Sequence, residues 1–135
     1  MTALKSRRIA KAGEQRTARY LEDHGYTILE RNWRFGRYGE LDLIARGPGR
    51  LTVFVEVKTR TRTAAAGIPT EGFDAVDRRK QKRIIRAARS YLLFMGQDCP
   101  ARFDVAVVTV PEGFDECDAH QANSDIAYVE SAFHP

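Results

Sequence analysis

Residues 39–60 constrain the fold more than any other part of the chain, because charged side chains interrupt two runs that otherwise suit a buried sheet. The first run, residues 40–46, reads ELDLIAR, and the second, residues 51–59, reads LTVFVEVKT. Between them, the sequence GPGR at residues 47–50 has the glycine and proline of a tight turn. The segment therefore predicts two antiparallel strands joined as a hairpin.

The four charges of this hairpin are predicted to meet on one face. Side chains on a strand alternate between faces, so Glu40 and Asp42 share one face of the first strand. Glu56 and Lys58 share one face of the second strand in the same way. One register places Asp42 opposite Glu56 and Glu40 opposite Lys58, whereas a shift of two residues pairs Glu40 with Glu56. Either register gathers the same four groups.

A divalent metal would explain why two carboxylates are set into apolar strands. Directly opposed Cβ atoms lie about 4.5–5.5 Å apart, so Asp42 and Glu56 cannot both stay ionised there without a counter-charge. Magnesium is held by one or two carboxylates, waters and a substrate phosphate, and Lys58 could contact such a water or phosphate. The alternative is an ordinary ion pair between Glu40 and Lys58 on a solvated face. We favour the metal site, because burying an unpaired charge costs several kcal/mol.

The rest of the chain predicts a mixed α/β arrangement in one domain covering residues 1–135. Apolar residues at helical spacing predict a first helix over residues 9–24, which Gly25 ends. A second helix is predicted over residues 75–95, after a loop at residues 60–74. The further predicted strands are residues 26–33, residues 104–110, which are apolar enough for burial on both faces, and a final edge strand at residues 127–129.

The composition predicts a globular, cytoplasmic protein. Of 135 residues, 43% are hydrophobic and 30% are charged, which argues against the disordered and membrane classes. No apolar run approaches the roughly 18–20 residues of a membrane span, and the basic N-terminal stretch lacks the apolar segment of a signal peptide. Cys99 and Cys117 have no metal-binding spacing, so we favour free thiols over a disulfide or a zinc site.

Positive charge is concentrated on one side of the second predicted helix. The chain carries a net charge of +4, whereas its C-terminal segment, about residues 112–135, is acidic. A solvated helix face is the common alternative, but few acids offset these cations at i,i+4 spacing. We therefore expect the basic arc to contact a DNA backbone. The apolar arc holds Ile84, Ala88, Tyr91, Leu92 and Met95, with Lys80 at its border, and the basic arc holds Arg78, Arg79, Lys82, Arg83, Arg86 and Arg89.

Three aromatic residues alternate with arginines just before the acidic strand. Trp33, Phe35 and Tyr38 could pack the loop or stack on exposed bases, and packing is the favoured interpretation. The neighbouring arginines Arg34 and Arg37 add positive charge close to the predicted acid site.

Asp42 is followed, fourteen residues later, by the triplet Glu56-Val57-Lys58. Together with further motifs over about residues 8–110, these residues form a pattern that can be compared with known families. This pattern resembles the YraN family of predicted endonucleases, within the restriction-endonuclease-like PD-(D/E)XK nucleases, and is similar to archaeal Holliday-junction resolvases. Leu41 stands where the literal signature has proline, which removes no ligand. The other matching stretches are Gly13-Glu14, Tyr20-Leu21, Gly25-Tyr26 and residues 31–34, 39–45, 54–60 and 76–83.

The resemblance implies an α-β-β-β-α-β core with a central mixed sheet flanked by helices. It implies that Asp42 and Glu56 hold Mg²⁺ or Mn²⁺ and that Lys58 assists the attacking water. It also implies that Glu14 on the first helix completes the acidic cluster. We expect Glu40, which shares a strand face with Asp42, among the catalytic groups. The residues expected to contact DNA are Arg34, Arg60, Arg79, Lys80, Lys82, Arg83 and Arg86.

The expected activity is metal-dependent hydrolysis of DNA phosphodiester bonds, in branched or structured DNA. The alternative is a non-catalytic nucleic-acid-binding or adaptor protein that keeps the nuclease fold. The sequence is also compatible with a homodimer, and it predicts no membrane partner.

Overall fold

A computed structural model describes residues 3–37, 39–62, 76–111, 113 and 124–135. Tyr38, Cys117 and most of the predicted loop at residues 60–74 lie outside the described residues. The order of elements confirms the mixed α/β fold and is consistent with a restriction-endonuclease-like core. In chain order they are α1 (Ala3–Asp23), β1 (Thr27–Arg34), β2 (Glu40–Arg46), a short 3-10 helix (Pro48–Arg50), β3 (Thr52–Thr61), α2 (Arg78–Phe94), β4 (Ala101–Val110) and β5 (Asp125–Phe133).

The strands form one mixed sheet in the order β1-β2-β3-β4-β5. β2 is antiparallel to both β1 and β3, β3 is parallel to β4, and β4 is antiparallel to β5. The connection between the two parallel strands contains α2, since a parallel pair needs a crossover. The hairpin of β2 and β3 pairs Ile44 with Phe54. This register directs Asp42 towards Glu56.

Helices cover both faces of the sheet. Leu21 of α1 packs in a core with Leu43 and Val53 on one face, and Tyr91 of α2 packs with Phe54 on the other. β4 lies between these two cores and is buried along most of its length, as the sequence predicted. Within the described ranges, no helix is long and apolar enough to cross a membrane.

The ends of α2 differ from the prediction for local reasons. The helix begins at Arg78 because the Asp77 carboxylate accepts the backbone N–H of Lys80 at 2.8 Å and caps the first turn. Met95, predicted on the apolar arc, follows the last helical residue and is 44% exposed. The apolar arc therefore ends one turn earlier than the sequence indicated.

The first helix and the last strand are both longer than predicted. α1 begins at Ala3 with exposed, mostly polar turns that carry no periodic apolar signal. It ends at Asp23, two residues before Gly25, whose φ of 87° suits glycine. β5 spans Asp125–Phe133 at the edge of the sheet. The segment after residue 112 thus contributes a strand as well as acidic charge.

Two glycines bring the helices close to the acidic strands. A Cβ at Gly13 would overlap the Thr59 hydroxyl, so α1 can approach β3 only with glycine at this position. Gly39 has a φ of 152°, and a Cβ there would lie 3.3 Å from the carbonyl oxygen of Arg83 in α2. Glu14 and Glu40, which follow these glycines, are consequently held near the same part of the sheet.

Candidate metal and nucleic-acid site

Asp42 and Glu56 lie where β2 and β3 separate. The paired register ends with Leu43 opposite Val55, so Asp42 and Glu56 are the next residues of the two strands. The backbone N–H of Val57 donates to Asp42 Oδ2 at 2.9 Å. Both carboxylates line one cleft of about 420 Å³, hereafter the acid cleft. The alternation of side chains along the strands predicted this meeting.

Asp42 and Glu56 would repel each other in this cleft if both carboxyl groups were ionised. Glu56 is only 7% exposed. Burial and the negative charge of Glu56 raise the pKa of Asp42 to about 8, although the hydrogen bond from Val57 acts in the opposite direction. Asp42 therefore retains a proton at neutral pH unless a cation compensates the pair.

The charge of Glu56 is balanced from α2. Lys80 Nζ lies 2.5 Å from Glu56 Oε1, with 48% of the lysine side chain and 8% of the glutamate side chain exposed. Burial acts to lower the pKa of Lys80, but the contact with Glu56 and the charge of Asp42 raise it overall. Lys80, which the sequence assigned to DNA contact, thus lines the acid cleft.

Lys58 lies elsewhere than the sequence indicated. Its side chain is exposed, and it is not among the residues that line the acid cleft. Glu40 does line the cleft, and its carboxylate lies 3.5 Å from the guanidinium of Arg34. The alternative of a Glu40–Lys58 ion pair is therefore wrong, because Glu40 pairs with Arg34.

Glu14 approaches the acid cleft from α1 without lining it. Asn32 Nδ2 donates to Glu14 Oε2 at 3.0 Å. Burial raises the pKa of Glu14, the bond from Asn32 lowers it, and the charges of Glu40 and Glu56 raise it further. Helical periodicity alone would have left Glu14 on the solvated surface, so its half-buried position agrees with the place that the resemblance gave it.

A strongly basic groove of about 750 Å³ adjoins the acid cleft. Arg79 and Arg83 line both, so the two surfaces are continuous. Four residues predicted to contact DNA lie together here, which confirms that they share one face of α2. The residues that line this basic groove are Arg37, Arg79, Lys82, Arg83, Ile85, Arg86, Arg89 and Pro135.

Two other residues predicted to contact DNA lie outside the basic groove. Arg34 is exposed and pairs with Glu40 beside the acid cleft. Arg60 is partly buried on β3, and its Nε atom is buried with no hydrogen-bond partner in the part of the chain that the structure describes. Their contact with DNA stays a prediction.

The aromatic residues before β2 divide between packing and exposure. Trp33 meets Tyr91 edge-on with ring centroids 5.2 Å apart, which confirms the packing interpretation for Trp33. Phe35 stacks on Trp33 at 6.0 Å and is 43% exposed.

The donor set of the acid cleft fits a hard divalent cation. Among the described residues, no three His, Cys, Asp or Glu side chains are placed to hold a metal ion by themselves. Magnesium and manganese need fewer protein ligands, because one or two carboxylates suffice when waters and a phosphate complete the shell. A cation between Asp42 and Glu56 would also offset the burial and the charge of Glu56, which together raise the pKa of Asp42.

Comparison with known proteins identifies the family. The model of the uncharacterised protein family UPF0102 matches residues 13–108, which include Glu14, Asp42, Glu56 and Lys80. The chain belongs to the UPF0102 family. This membership confirms the YraN-type resemblance at the level of the family.

Related UPF0102 proteins occur in distant bacteria. The protein from Chlorobium chlorochromatii is 51% identical over 102 residues, covering 76% of this chain and 74% of its own length. That from Bacteroides thetaiotaomicron is 41% identical over 127 residues, covering 94% and 93%. That from Symbiobacterium thermophilum is 45% identical over 131 residues, covering 96% and 98%. The similarity to this UPF0102 chain thus extends beyond the acid cleft.

Sequence reasoning missed a second polar cluster of the UPF0102 chain, hereafter the Asp104 network. Asp104 of β4 is fully buried. It accepts hydrogen bonds from Arg102 Nε at 2.9 Å, from the Tyr128 hydroxyl at 2.6 Å and from the Ser131 N–H at 2.9 Å. The available signal was the spacing of Arg102 and Asp104, which share a face of one strand.

Proposed function

We propose that this UPF0102 chain is a metal-dependent nuclease that hydrolyses DNA phosphodiester bonds, with branched or structured DNA as its substrate. The observation that carries the proposal is the continuity of the acid cleft with the basic groove through Arg79 and Arg83. A phosphate backbone bound along α2 would thereby reach the carboxylates. The same feature supports membership of the PD-(D/E)XK superfamily, and a DNA substrate fits the cytoplasmic location that the sequence predicts.

Asp42 and Glu56 are the residues that would hold Mg²⁺ or Mn²⁺, with Glu14 close enough to add negative charge. When bound, such an ion polarises the phosphate, activates water and stabilises the leaving oxygen. Val57 fixes one oxygen of Asp42 through its N–H, which leaves the other oxygen of that carboxylate for a cation. The protein thus contributes a pre-oriented pair of acids.

The basic groove would hold the DNA backbone in register with the acid cleft. Its arginines and lysine present several donors along one face of α2, and phosphate oxygens are their natural acceptors. If about four of these groups neutralise phosphates, the logarithm of the binding constant falls with the logarithm of salt concentration at a slope near −3.6. Such contacts position DNA without reading its sequence.

A non-catalytic adaptor is the second candidate, and one contact favours it. The ion pair between Lys80 and Glu56 neutralises a buried acid within the protein itself. An acid that is balanced in this way could serve stability alone. Metal binding and cleavage therefore have to be measured separately.

The direct test is a cleavage assay on linear, single-stranded, flap and four-way-junction DNA with Mg²⁺ or Mn²⁺. We expect metal-dependent cleavage of branched substrates that Asp42→Asn and Glu56→Gln abolish while the fold is retained. Reversing the charge of Arg79, Lys82 and Arg86 should weaken binding to all DNA sequences alike and flatten the salt dependence. DNA binding without cleavage in every metal would instead support the adaptor.

A further inference from the structure

The acid cleft contains a lysine that comes from α2 and not from the strand that carries the acidic motif. The capped first turn of α2 holds the Lys80 backbone in place, because Asp77 accepts its N–H at 2.8 Å. The ammonium group then reaches Glu56 Oε1 at 2.5 Å. Lys58, two residues after Glu56 on β3, is exposed and lies outside the cleft lining.

The two side chains of the Lys80–Glu56 pair differ in exposure, which suits replacement of the lysine by another cation. The glutamate side chain is 8% exposed and is fixed in the sheet, whereas the lysine side chain is 48% exposed at the mouth of the cleft. Lysine carries its charge on a flexible four-carbon stem, so the ammonium group can leave without disturbing the strand. A cation that enters the cleft would meet a Glu56 carboxylate that the sheet already holds in place.

We propose that Lys80 is the built-in counter-ion of the acid cleft: it pairs with Glu56 and holds it in place in the metal-free protein, and it is displaced from Glu56 by the divalent cation. This inference rests on the metal site of the proposed function. Lys80 is a positioning residue here, since its contact is with a metal-binding carboxylate and not with the reacting atoms.

Displacement of Lys80 from Glu56 would couple metal binding to DNA binding. Once released from Glu56, the ammonium group of Lys80 stays between the acid cleft and Arg79 and Arg83, which line both the cleft and the basic groove. Its next anionic partner at that place is a DNA phosphate. Metal binding would then add one cation to the DNA-binding surface, so that each ligand strengthens binding of the other.

The test measures the affinity for Mn²⁺ alone by titration calorimetry on the full-length protein. Lys80→Gln keeps a polar side chain but removes the charge that competes with the metal, so we expect Mn²⁺ to bind about tenfold more tightly than to the parent. Lys80→Arg keeps the charge and should restore the parent affinity. Lys11→Gln removes the same charge from an exposed position of α1, outside the linings of the acid cleft and the basic groove, and it is the matched control.

The outcomes separate this inference from the proposed function. Mn²⁺ binding of equal or lower affinity in Lys80→Gln than in the parent overturns the counter-ion role and leaves the metal site standing. No Mn²⁺ binding in either protein overturns both. Weak binding in the parent that becomes strong in Lys80→Gln supports both, provided that Lys11→Gln behaves as the parent does.

Salt titrations of DNA binding supply a second readout. They are run with Ca²⁺ or with EDTA, so that DNA affinity is measured in two metal states. If the metal frees Lys80 for a phosphate, adding Ca²⁺ should steepen the salt slope of the parent by about 0.9 more than that of Lys80→Gln. Equal changes in the two proteins would show that Lys80 does not pass to the DNA.

Discussion

Asp104 and Asp42 are both carboxylates set into the same sheet, yet their surroundings differ. Asp104 is fully buried and receives hydrogen bonds from Arg102, Tyr128 and Ser131. Asp42 receives a hydrogen bond from the Val57 N–H and faces a second acid, Glu56. Burial and then the charge of Glu56 raise the pKa of Asp42.

The difference shows that partners, more than burial, separate a structural acid from a functional one. An acid with a guanidinium and several donors is compensated within the fold, and it needs nothing from outside. An acid that shares its cleft with another acid stores repulsion that an external cation can relieve. The comparison therefore predicts opposite consequences when each carboxylate is neutralised.

The largest effect should follow from Asp104→Asn. Removing this charge leaves the Arg102 guanidinium, whose side chain is only 18% exposed, with the more distant carboxylate of Glu130, which lies 3.7 Å away and is 64% exposed. Breaking a buried pair in this way costs about 3–5 kcal/mol, which urea denaturation would show as a lower free energy of unfolding. Mn²⁺ affinity should stay at the parent value. A loss below about 1 kcal/mol would contradict the structural role of the Asp104 network.

Neutralising Asp42 should change the free energy of unfolding in the opposite direction and stabilise the metal-free protein. In EDTA, the folded protein keeps a proton on Asp42 up to about pH 8, whereas in the unfolded chain this carboxyl, with an ordinary value of 3.8, has already lost it. The folded state binds more protons across this interval, so the stability of the parent falls as pH rises from about 4 to 8.

Asp42→Asn removes this loss and should exceed the parent in stability by about 2 kcal/mol at pH 8, after allowance for solvent screening. The two proteins should converge near pH 4, where Asp42 is protonated in both states. Thermal melts over this pH range measure the difference. Equal pH profiles of parent and variant would show that Asp42 is ionised in the metal-free fold.

The sequence predicted the acid cleft better than it predicted the cleft's partners. Alternation along two strands placed Asp42 and Glu56 on one face, and a local turn set their register. Lys80 meets Glu56 only because α2 packs back over the sheet. The spacing of residues within α2 or within β3 could not predict this contact between the two elements. Ser131 reaches Asp104 across the β4–β5 pairing for a similar reason. Local patterns thus specify faces, whereas contacts between distant elements depend on packing.

Metal binding should stabilise the protein through the acid cleft, which contains Asp42, and not through the Asp104 network. At a free Mn²⁺ concentration of ten times the dissociation constant, native-state binding adds about 1.4 kcal/mol to the free energy of unfolding. This gain should vanish in Asp42→Asn and Glu56→Gln. It should persist in Tyr128→Phe, which loses the 2.6 Å hydrogen bond to Asp104 but leaves the acid cleft intact. A Tyr128→Phe variant that no longer responds to Mn²⁺ would show that the two clusters are coupled.

The smallest effect on stability should come from Lys58→Met. The side chain is exposed and lies outside both the acid cleft lining and the Asp104 network, so the free energy of unfolding should change by no more than about 0.5 kcal/mol. The Mn²⁺ affinity should also stay at the parent value, in contrast to Lys80→Gln.

If Lys58 assists the reaction as the resemblance implies, its loss should appear in the cleavage rate alone, as a fall of about tenfold or more. Lys58→Arg, which keeps the charge, tests whether that fall is electrostatic. A change in Mn²⁺ affinity on Lys58→Met would instead place its ammonium group against the carboxylates, and the contrast between the two lysines would be lost.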